Sequence, residues 1–537
     1  MLPLLKLPWS NGHTGRAEEL LELGLQCLSM AKLKVKYVNY LLLISKYLME
    51  NLVQLLFHCP RLTEFRQKTV RMGLMGGLAV GLLATIASPA FADPIADVQT
   101  AATKAQIAAD TAFMSISAAL VLLMTPGLAF FYGGFVRSRN VLNTMMMSFI
   151  AMAIIGTTWV LWGYSLAFAP GTPFLGGLRW LFLNGVGLET TNYLMGTEPA
   201  AVVSYAATIP HELFMMYQGM FAIITPALMS GAIVERFSFK AYFWFILIWS
   251  TLIYSVMAHM VWAKGGFLGL HGGLGALDFA GGTVVHISSG VSALVAAWMI
   301  GPRQTHPENL SPPHNVPYIL LGAGLLWFGW FGFNAGSALA SGSLSTVAFV
   351  TTNTAAAAGG LIWITLEWVL RGKPTAVGIA TGLIAGLVGI TPAAGFVTPL
   401  SAILIGAITA TCCFFAVSLK SKLKFDDSLD TFPVHGVGGT VGAILTGIFA
   451  TKMVNAAGGN GLLFGETGRL FNGNDPGQLG KQILAVVITY LFAGVGTFVI
   501  LKLLDVTIGL RAKPVQELQG MDVNEHGEEG YGNEFMT

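Results

Sequence analysis

The sequence predicts an all-α polytopic membrane protein, and three observations carry that prediction. Hydrophobic residues make up 54% of the 537-residue chain and charged residues only 10%, against about 25% charged in soluble domains. The mean hydropathy is +0.67. Long apolar runs recur from Asp110 onward, and inside a bilayer only helices or closed barrels satisfy every backbone polar group. So few charges cannot cover a soluble globule of this length. A net charge of +2 provides no electrostatic footprint for nucleic acid. The cysteines Cys27, Cys59, Cys412 and Cys413 have neither metal-site spacing nor a readable disulfide framework.

Residues 1–71 form an N-terminal extension that carries ten Lys and Arg and differs from everything downstream. Within it Tyr37–His58 is apolar in parts, but Lys46 and Glu50 interrupt it. The segment reads as amphipathic or unstructured. A second signal follows at 72–92. Lys68 and Arg71 precede the apolar run Leu74–Ile86, which ends in Ser88-Pro89-Ala90-Phe91-Ala92. A basic flank, an apolar run of about 7–15 residues and an A-x-A end compose a secretory signal peptide. Cleavage after Ala92 starts the mature chain at Asp93; the plainer reading is one more transmembrane helix. A leader placed behind some seventy residues of other character points to a natural start downstream of Met1.

Eleven apolar segments are then long enough to cross a ~30 Å core at 1.5 Å per residue. They cover 111–134, 141–169, 212–234, 241–262, 280–300, 316–338, 344–370, 376–395, 397–418, 431–452 and 482–504. The eighth and ninth nearly abut across Thr391-Pro392-Ala393-Ala394-Gly395. Loops after odd-numbered spans hold ten basic residues: Arg137, Arg139, Arg236, Lys240, Arg303, Arg371, Lys373, Lys420, Lys422 and Lys424. The longer loops after even-numbered spans hold five: Arg179, Lys264, Lys452, Arg469 and Lys481. This excess places the odd loops in the cytoplasm. The N-terminus is then outside, as a cleaved leader requires, and the C-terminal tail of 505–537 is cytoplasmic.

An ionisable residue inside a span is costly and points to function. His286 lies in the fifth span and His435 opens the tenth, 149 residues and five spans later. Each occupies the last helix of a five-span unit. Five is odd, so the second unit runs upside down relative to the first: two inverted five-helix repeats plus a C-terminal helix. Such repeats put a transport site near mid-membrane, and small residues around both histidines allow close helix approach. Two core histidines bonded to backbone carbonyls are the structural alternative. Haem ligation is a third reading, although it usually shows several histidine pairs.

At these residues the chain resembles the ammonium transporter family, on the bacterial Amt side of the Amt/Mep/Rh group. The matching stretches run from Asp278-Phe279-Ala280-Gly281-Gly282 through His286, Ser288 and Ser289 to Gly301-Pro302-Arg303. They include Trp330-Phe331-Gly332-Phe333-Asn334-Ala335-Gly336-Ser337, and Asp426-Asp427-Ser428-Leu429-Asp430 followed by Val434-His435-Gly436-Val437-Gly438-Gly439. The likeness extends from about residue 110 to Tyr531, so 93–504 is the membrane domain. It implies that His286 and His435 are twin pore histidines. Phe221 and Phe333 would be stacked rings closing the pore, and Trp262, Tyr217 and Ser337 an outer recruitment site. Relatives often carry Phe where Tyr217 stands; its hydroxyl could accept a bond from the cation or point to solvent. Asp278 would hold backbone amides at the start of its helix, with direct cation binding as the alternative. Aromatic residues at span ends are otherwise interfacial belts, and only the motif singles these out.

The chemistry suits these residue types. Aromatic faces attract a cation, an apolar lumen rejects charge, and ammonium, unlike potassium, can surrender a proton to imidazole near neutral pH. The resemblance further implies a homotrimer in the inner (plasma) membrane, with a tail packed beneath neighbouring subunits and a possible PII-type regulatory protein as cytoplasmic partner. It implies no cofactor or metal. An ammonium sensor signalling through its tail is the alternative function. A membrane metalloenzyme is a third class, but it lacks carboxylate or cysteine companions within the spans.

Overall fold

The computed structural model describes residues 63–189, 205–308, 311–423, 425–464 and 476–531. Most of the N-terminal extension, Lys424, Arg469 and the end of the tail therefore lie outside the described residues. The chain divides into two compact units, Met1–Thr100 and Ala101–Thr537. Of the first, what is described is helical backbone: α1 runs from Thr63 to Phe135 without a break, through the leader-like run at 72–92.

Among its described residues the second unit consists of helices joined by turns and irregular segments, with isolated bridges and no strand ladder. After α1 come α2 (Ser138–Phe168), α3 (His211–Ile233), α4 (Phe239–Trp262), α5 (Gly282–Ile300), α6 (Val316–Ala338) and α7 (Ser343–Arg371). They are followed by α8 (Ala376–Ile390), α9 (Pro399–Lys422), α10 (Phe432–Phe449) and α11 (Pro476–Thr507). Two short helices, α12 (Pro514–Gln519) and α13 (Met521–His526), end the described chain. The starts follow local chemistry. Ser238, Asn315, Thr375 and Thr398 each accept a first-turn amide, from Ala241, Tyr318, Gly378 and Ser401. Pro317 and Pro399 sit in first turns, where no N–H is needed.

Among the described residues ten helices are long and apolar enough to span a membrane, not eleven. The expected eighth span is α8, which has only fifteen residues. It stops at Ile390 because Pro392 has no N–H to continue the ladder, and turns over 391–396 follow before α9 begins at Pro399. Bulky apolar side chains point outward, Trp298 (65% exposed) and Leu491 (62%) among them. A surface of this kind calls for lipid rather than water.

Five stretches depart from α geometry into π-helical turns: 159–163, 250–254, 282–287, 331–335 and 432–437. His286, Phe333 and His435 all sit on such turns, which concentrate at functional sites. Helices α5 and α10 both open on one. They run antiparallel: the C-terminal end of α5 and the N-terminal end of α10 share one end of the bundle. There Arg236 Nε donates to Gly301 O (2.8 Å), and Arg303 pairs with Asp426 (2.9 Å).

That end is held by buried charge. Glu235 binds Arg137 and Arg303 at 2.9 Å each, and the Arg236 guanidinium also donates to Asp426 O at 2.6 Å. The polar tail docks on the same cluster. Glu517 takes a bidentate bond from Arg511 (2.8 and 2.9 Å) and an amide bond from Gln304 (2.9 Å). The Asp522 carboxylate accepts the Leu142 and Asn143 amides at 3.1 and 2.8 Å, capping the start of α2. Glu517 and Asp522 are each 1% exposed, so the segment is far from a solvated strand of polar residues.

Candidate functional site

A line of three cavities runs between the α4–α5 connection and the arginine-rich end. The first, of about 250 Å³, is lined by Trp262, Phe221, Ser337, Asp278, Gln218 and Lys264 among others. Trp262 is fixed by its indole N–H, which donates to Asp278 O (2.9 Å), and its ring meets Phe221 edge to face at 5.8 Å. The Asp278 carboxylate is engaged by the start of its own helix. Its oxygens accept the amides of Gly281 (2.8 Å), Gly282 (2.5 Å) and Thr283 (2.8 Å), together with the Thr283 hydroxyl. Gly281 has φ +114°, a conformation glycine tolerates, which lets the chain wrap around that carboxylate.

Tyr217 is wholly buried, and its hydroxyl goes neither to the cavity nor to solvent. It donates to the carbonyls of Gly332 and Phe333, both at 2.9 Å, and lies 3.2 Å from Ser337 Oγ. Those carbonyls belong to the π turn of α6, where the regular ladder is broken. The Tyr217 ring still meets Phe221 at 5.0 Å.

Below the first cavity Phe221 and Phe333 close the path, with ring centroids 4.2 Å apart and neither more than 1% exposed. Behind them lies a space of about 10 Å³, lined by His286, His435, Trp330, Phe333 and aliphatic side chains such as Leu128 and Ile384. It has room for about one water-sized molecule. The imidazoles of His286 and His435 face each other with 3.2 Å between their Nδ1 atoms. His286 Nε2 is 3.3 Å from Thr391 Oγ, which also receives the Trp330 indole N–H at 2.9 Å.

This network assigns the tautomers. The Thr391 hydroxyl donates to Leu387 O at 2.7 Å, leaving its oxygen to accept from both Trp330 and His286. His286 then carries its proton on Nε2, and His435 donates from Nδ1 to His286 Nδ1. The bare lone pair left over is on His435 Nε2. A third cavity, of about 20 Å³, is lined by His435, Tyr132, Phe131, Thr431 and Asp430 and leads to the arginine-rich end.

All eight side chains singled out from the sequence thus gather along one path, seven of them lining two cavities and the closure between them. Trp330 and Thr391, which fix the His286 ring, were not singled out. Trp330 lies inside a quoted motif and Thr391 in the insecure eighth boundary, so position in the sequence marked them without revealing their role. Among the described residues no group of three or more His, Cys, Asp or Glu is arranged to hold a metal.

Residues 112–531 match the family described as Ammonium Transporter Family. The chain belongs to that family. It is 50% identical to an ammonium transporter of Bacillus subtilis (strain 168) over 423 residues, 79% of this chain and 98% of that protein. Its fold is similar to the crystal structure of Saccharomyces cerevisiae Mep2, with a TM-score of 0.67 at 36% identity over 75% of this chain and 87% of that one. It is also similar to a structure described as "Sensor Amt Protein", with a TM-score of 0.68 at 30% identity over 78% of this chain and 99% of that one. Membership of this family accounts for a polytopic helical membrane protein.

Proposed function

We propose that this protein moves ammonium across the plasma membrane by stripping, deprotonating and passing it through the path just described. The supporting observation is the pair of imidazoles in contact within a sealed apolar space. The cation is recruited over the face of Trp262, an attraction worth ~0.5–2 kcal/mol, with Ser337 as a hydroxyl partner. Entry past Phe221 and Phe333 requires an uncharged species, since a bare ion in apolar surroundings is prohibitively costly. One N–H bond of ammonium breaks in the outer cavity, its electron pair stays on nitrogen, the proton passes to solvent water there, and neutral ammonia continues. His435 Nε2 offers that ammonia a hydrogen-bond acceptor. Potassium has no proton to give and is refused by chemistry rather than by size.

The charge bias of the loops supports a cytoplasmic arginine-rich end and an outer Trp262 cavity. Arg137, Arg236 and Arg303, from three odd-numbered connections, converge on that one end, in line with this orientation. The family likeness supports a homotrimer and a PII-type partner at the cytoplasmic face. The 72–92 run supports a leader cut after Ala92, for which an N-terminus at Asp93 in membrane-purified protein is the expected result.

The test is ammonium-driven flux in liposomes containing purified protein. An ammonium gradient should raise uptake well above empty liposomes, and an equal potassium gradient should not. Ammonium binding without flux would replace transport by sensing.

A further inference from the structure

We infer that the cytoplasmic mouth contains an ammonium-ion site made by the Asp430 carboxylate and the Asp427 carbonyl, and that Lys420 is its tethered occupant. The inference rests on the transport reading above. Asp430 lines the third cavity together with His435 and Tyr132, so it is the first carboxylate on the way out from the histidines. Its backbone is held at φ +59°, a left-handed conformation that non-glycine residues seldom adopt outside constrained sites. Lys420, at the end of α9, places Nζ on Asp430 Oδ1 and donates to Asp427 O at 2.5 Å. Thr431 lines the same cavity and is 1% exposed, its hydroxyl set beside that of Tyr132. The Asp427 carboxylate is itself engaged, accepting the Thr431 and Phe432 amides at 3.0 and 2.7 Å as the cap of α10.

A carboxylate and a carbonyl are acceptors of the kind a primary ammonium group requires. Lysine's head group and the ammonium ion differ only in a carbon replacing one hydrogen. Acceptors that hold the first will hold the second. Ammonia leaving His435 regains a proton on reaching water and meets Asp430 as a cation. With Lys420 in place the carboxylate is already neutralised, and the product leaves. The lysine stem is flexible and its side chain 18% exposed, so it can be displaced when cytosolic ammonium is high. The mouth is thereby a product-sensing point: free ammonium and Lys420 compete for the same acceptors, and an occupied site slows further exit.

The experiment measures uptake into liposomes preloaded with increasing ammonium chloride, against potassium or sodium chloride at equal ionic strength. Lys420→Met leaves the acceptors open, and its uptake should be inhibited by internal ammonium at about tenfold lower concentration than wild type, the size of one ion-pair competition. Lys420→Arg should stay near wild type. The double variant Lys420→Met with Asp430→Asn should lose the added sensitivity. Asp430→Asn alone, which keeps the shape of the mouth, should abolish whatever internal inhibition wild type shows. Uptake into ammonium-free liposomes reports transport itself, so its absence in wild type overturns the transport reading. Normal uptake with unchanged internal sensitivity in Lys420→Met, or a double variant as sensitive as the single, overturns the mouth site alone. Should Lys420→Met not fold, Asp430→Asn decides: internal inhibition equal to wild type refutes the site.

Discussion

Tyr217 carries the clearest difference between what its residue type offers and what its surroundings use. A phenol beside a cation cage suggests an acceptor for the ion, yet this hydroxyl spends its hydrogen on the carbonyls of Gly332 and Phe333. Tyr217→Phe should therefore cost about 1 kcal/mol of stability, the usual price of a lost buried hydrogen bond, while ammonium uptake stays close to wild type. A thermal melt and an uptake curve on the same preparation check it; an unchanged melt with weakened ammonium affinity would return the hydroxyl to the cation. The histidines make the opposite case. If they only filled space, an acidic replacement would act through stability. Because they face each other inside an apolar path, His286→Asp and His435→Glu should fold and insert but admit potassium, since a carboxylate supplies a countercharge that imidazole does not. Potassium-dependent current at matched protein levels measures this. A folded acidic variant that still excludes potassium would remove deprotonation as the basis of selectivity. Both histidines were legible from sequence as ionisable residues in apolar runs. Their partners Thr391 and Trp330 were not, because a neutral threonine or tryptophan in a span carries no such signal.

At the scale of elements, the approach of α5 to α10 decides whether the two imidazoles meet. A Cβ added to Gly290 would lie 2.2 Å from the Gly436 amide nitrogen and 2.5 Å from its Cα. Backbone cannot yield as a side chain can, so Gly290→Ala should push the helices apart and open the 3.2 Å histidine contact. We expect a loss of ~1–3 kcal/mol, as for other overpacked cores, and a larger fall in flux than stability alone would produce. Gly324→Ala on α6 is the control, because nothing lies within 4 Å of its added Cβ. It should keep its flux and gain up to ~1 kcal/mol from helix propensity. Equal flux in the two variants would contradict the argument. The helices were legible because a bilayer leaves an apolar chain little choice but to pair its own amides. The π turns were not, since one extra residue in a turn leaves hydrophobic periodicity almost unchanged. The eighth span was overextended for a related reason: apolarity continues through 391–397 while Pro392 ends the helix.

Across the whole molecule, the arginine-rich end joins four connections and the tail into one charged cluster. The basic residues were visible in the sequence, but only as a count that sets orientation. Their pairing links residues as distant as Arg137 and Glu517, and no local pattern predicts which carboxylate an arginine in another loop will find. This pairing gives the fold its acid sensitivity. Burial would raise the Glu235 carboxyl, but Arg303 and Arg137 overcome it and hold the group at about 2. Burial acts on Asp426 in the same way, and Arg303 and Arg236 bring it to about 2. Unfolded carboxyls titrate near 4. Each group therefore contributes stability that is complete above that value and is lost as pH falls from about 4 towards 2, where the folded form must bind protons as well. A shift of this size corresponds to roughly 2–3 kcal/mol for each carboxylate. The melting temperature of detergent-purified protein should then be flat through neutral pH and fall steeply below about 4. In Glu235→Gln, two buried guanidiniums lose a partner, so the variant should be less stable at pH 7 by about 3–5 kcal/mol. Its further loss on acidification should be shallower, because one of the two titrating groups is gone. If Glu235→Gln melts as wild type at pH 7 and follows the same acid profile, the cluster does not anchor this end of the molecule, and the tail docked through Glu517 and Asp522 would have to hold it instead.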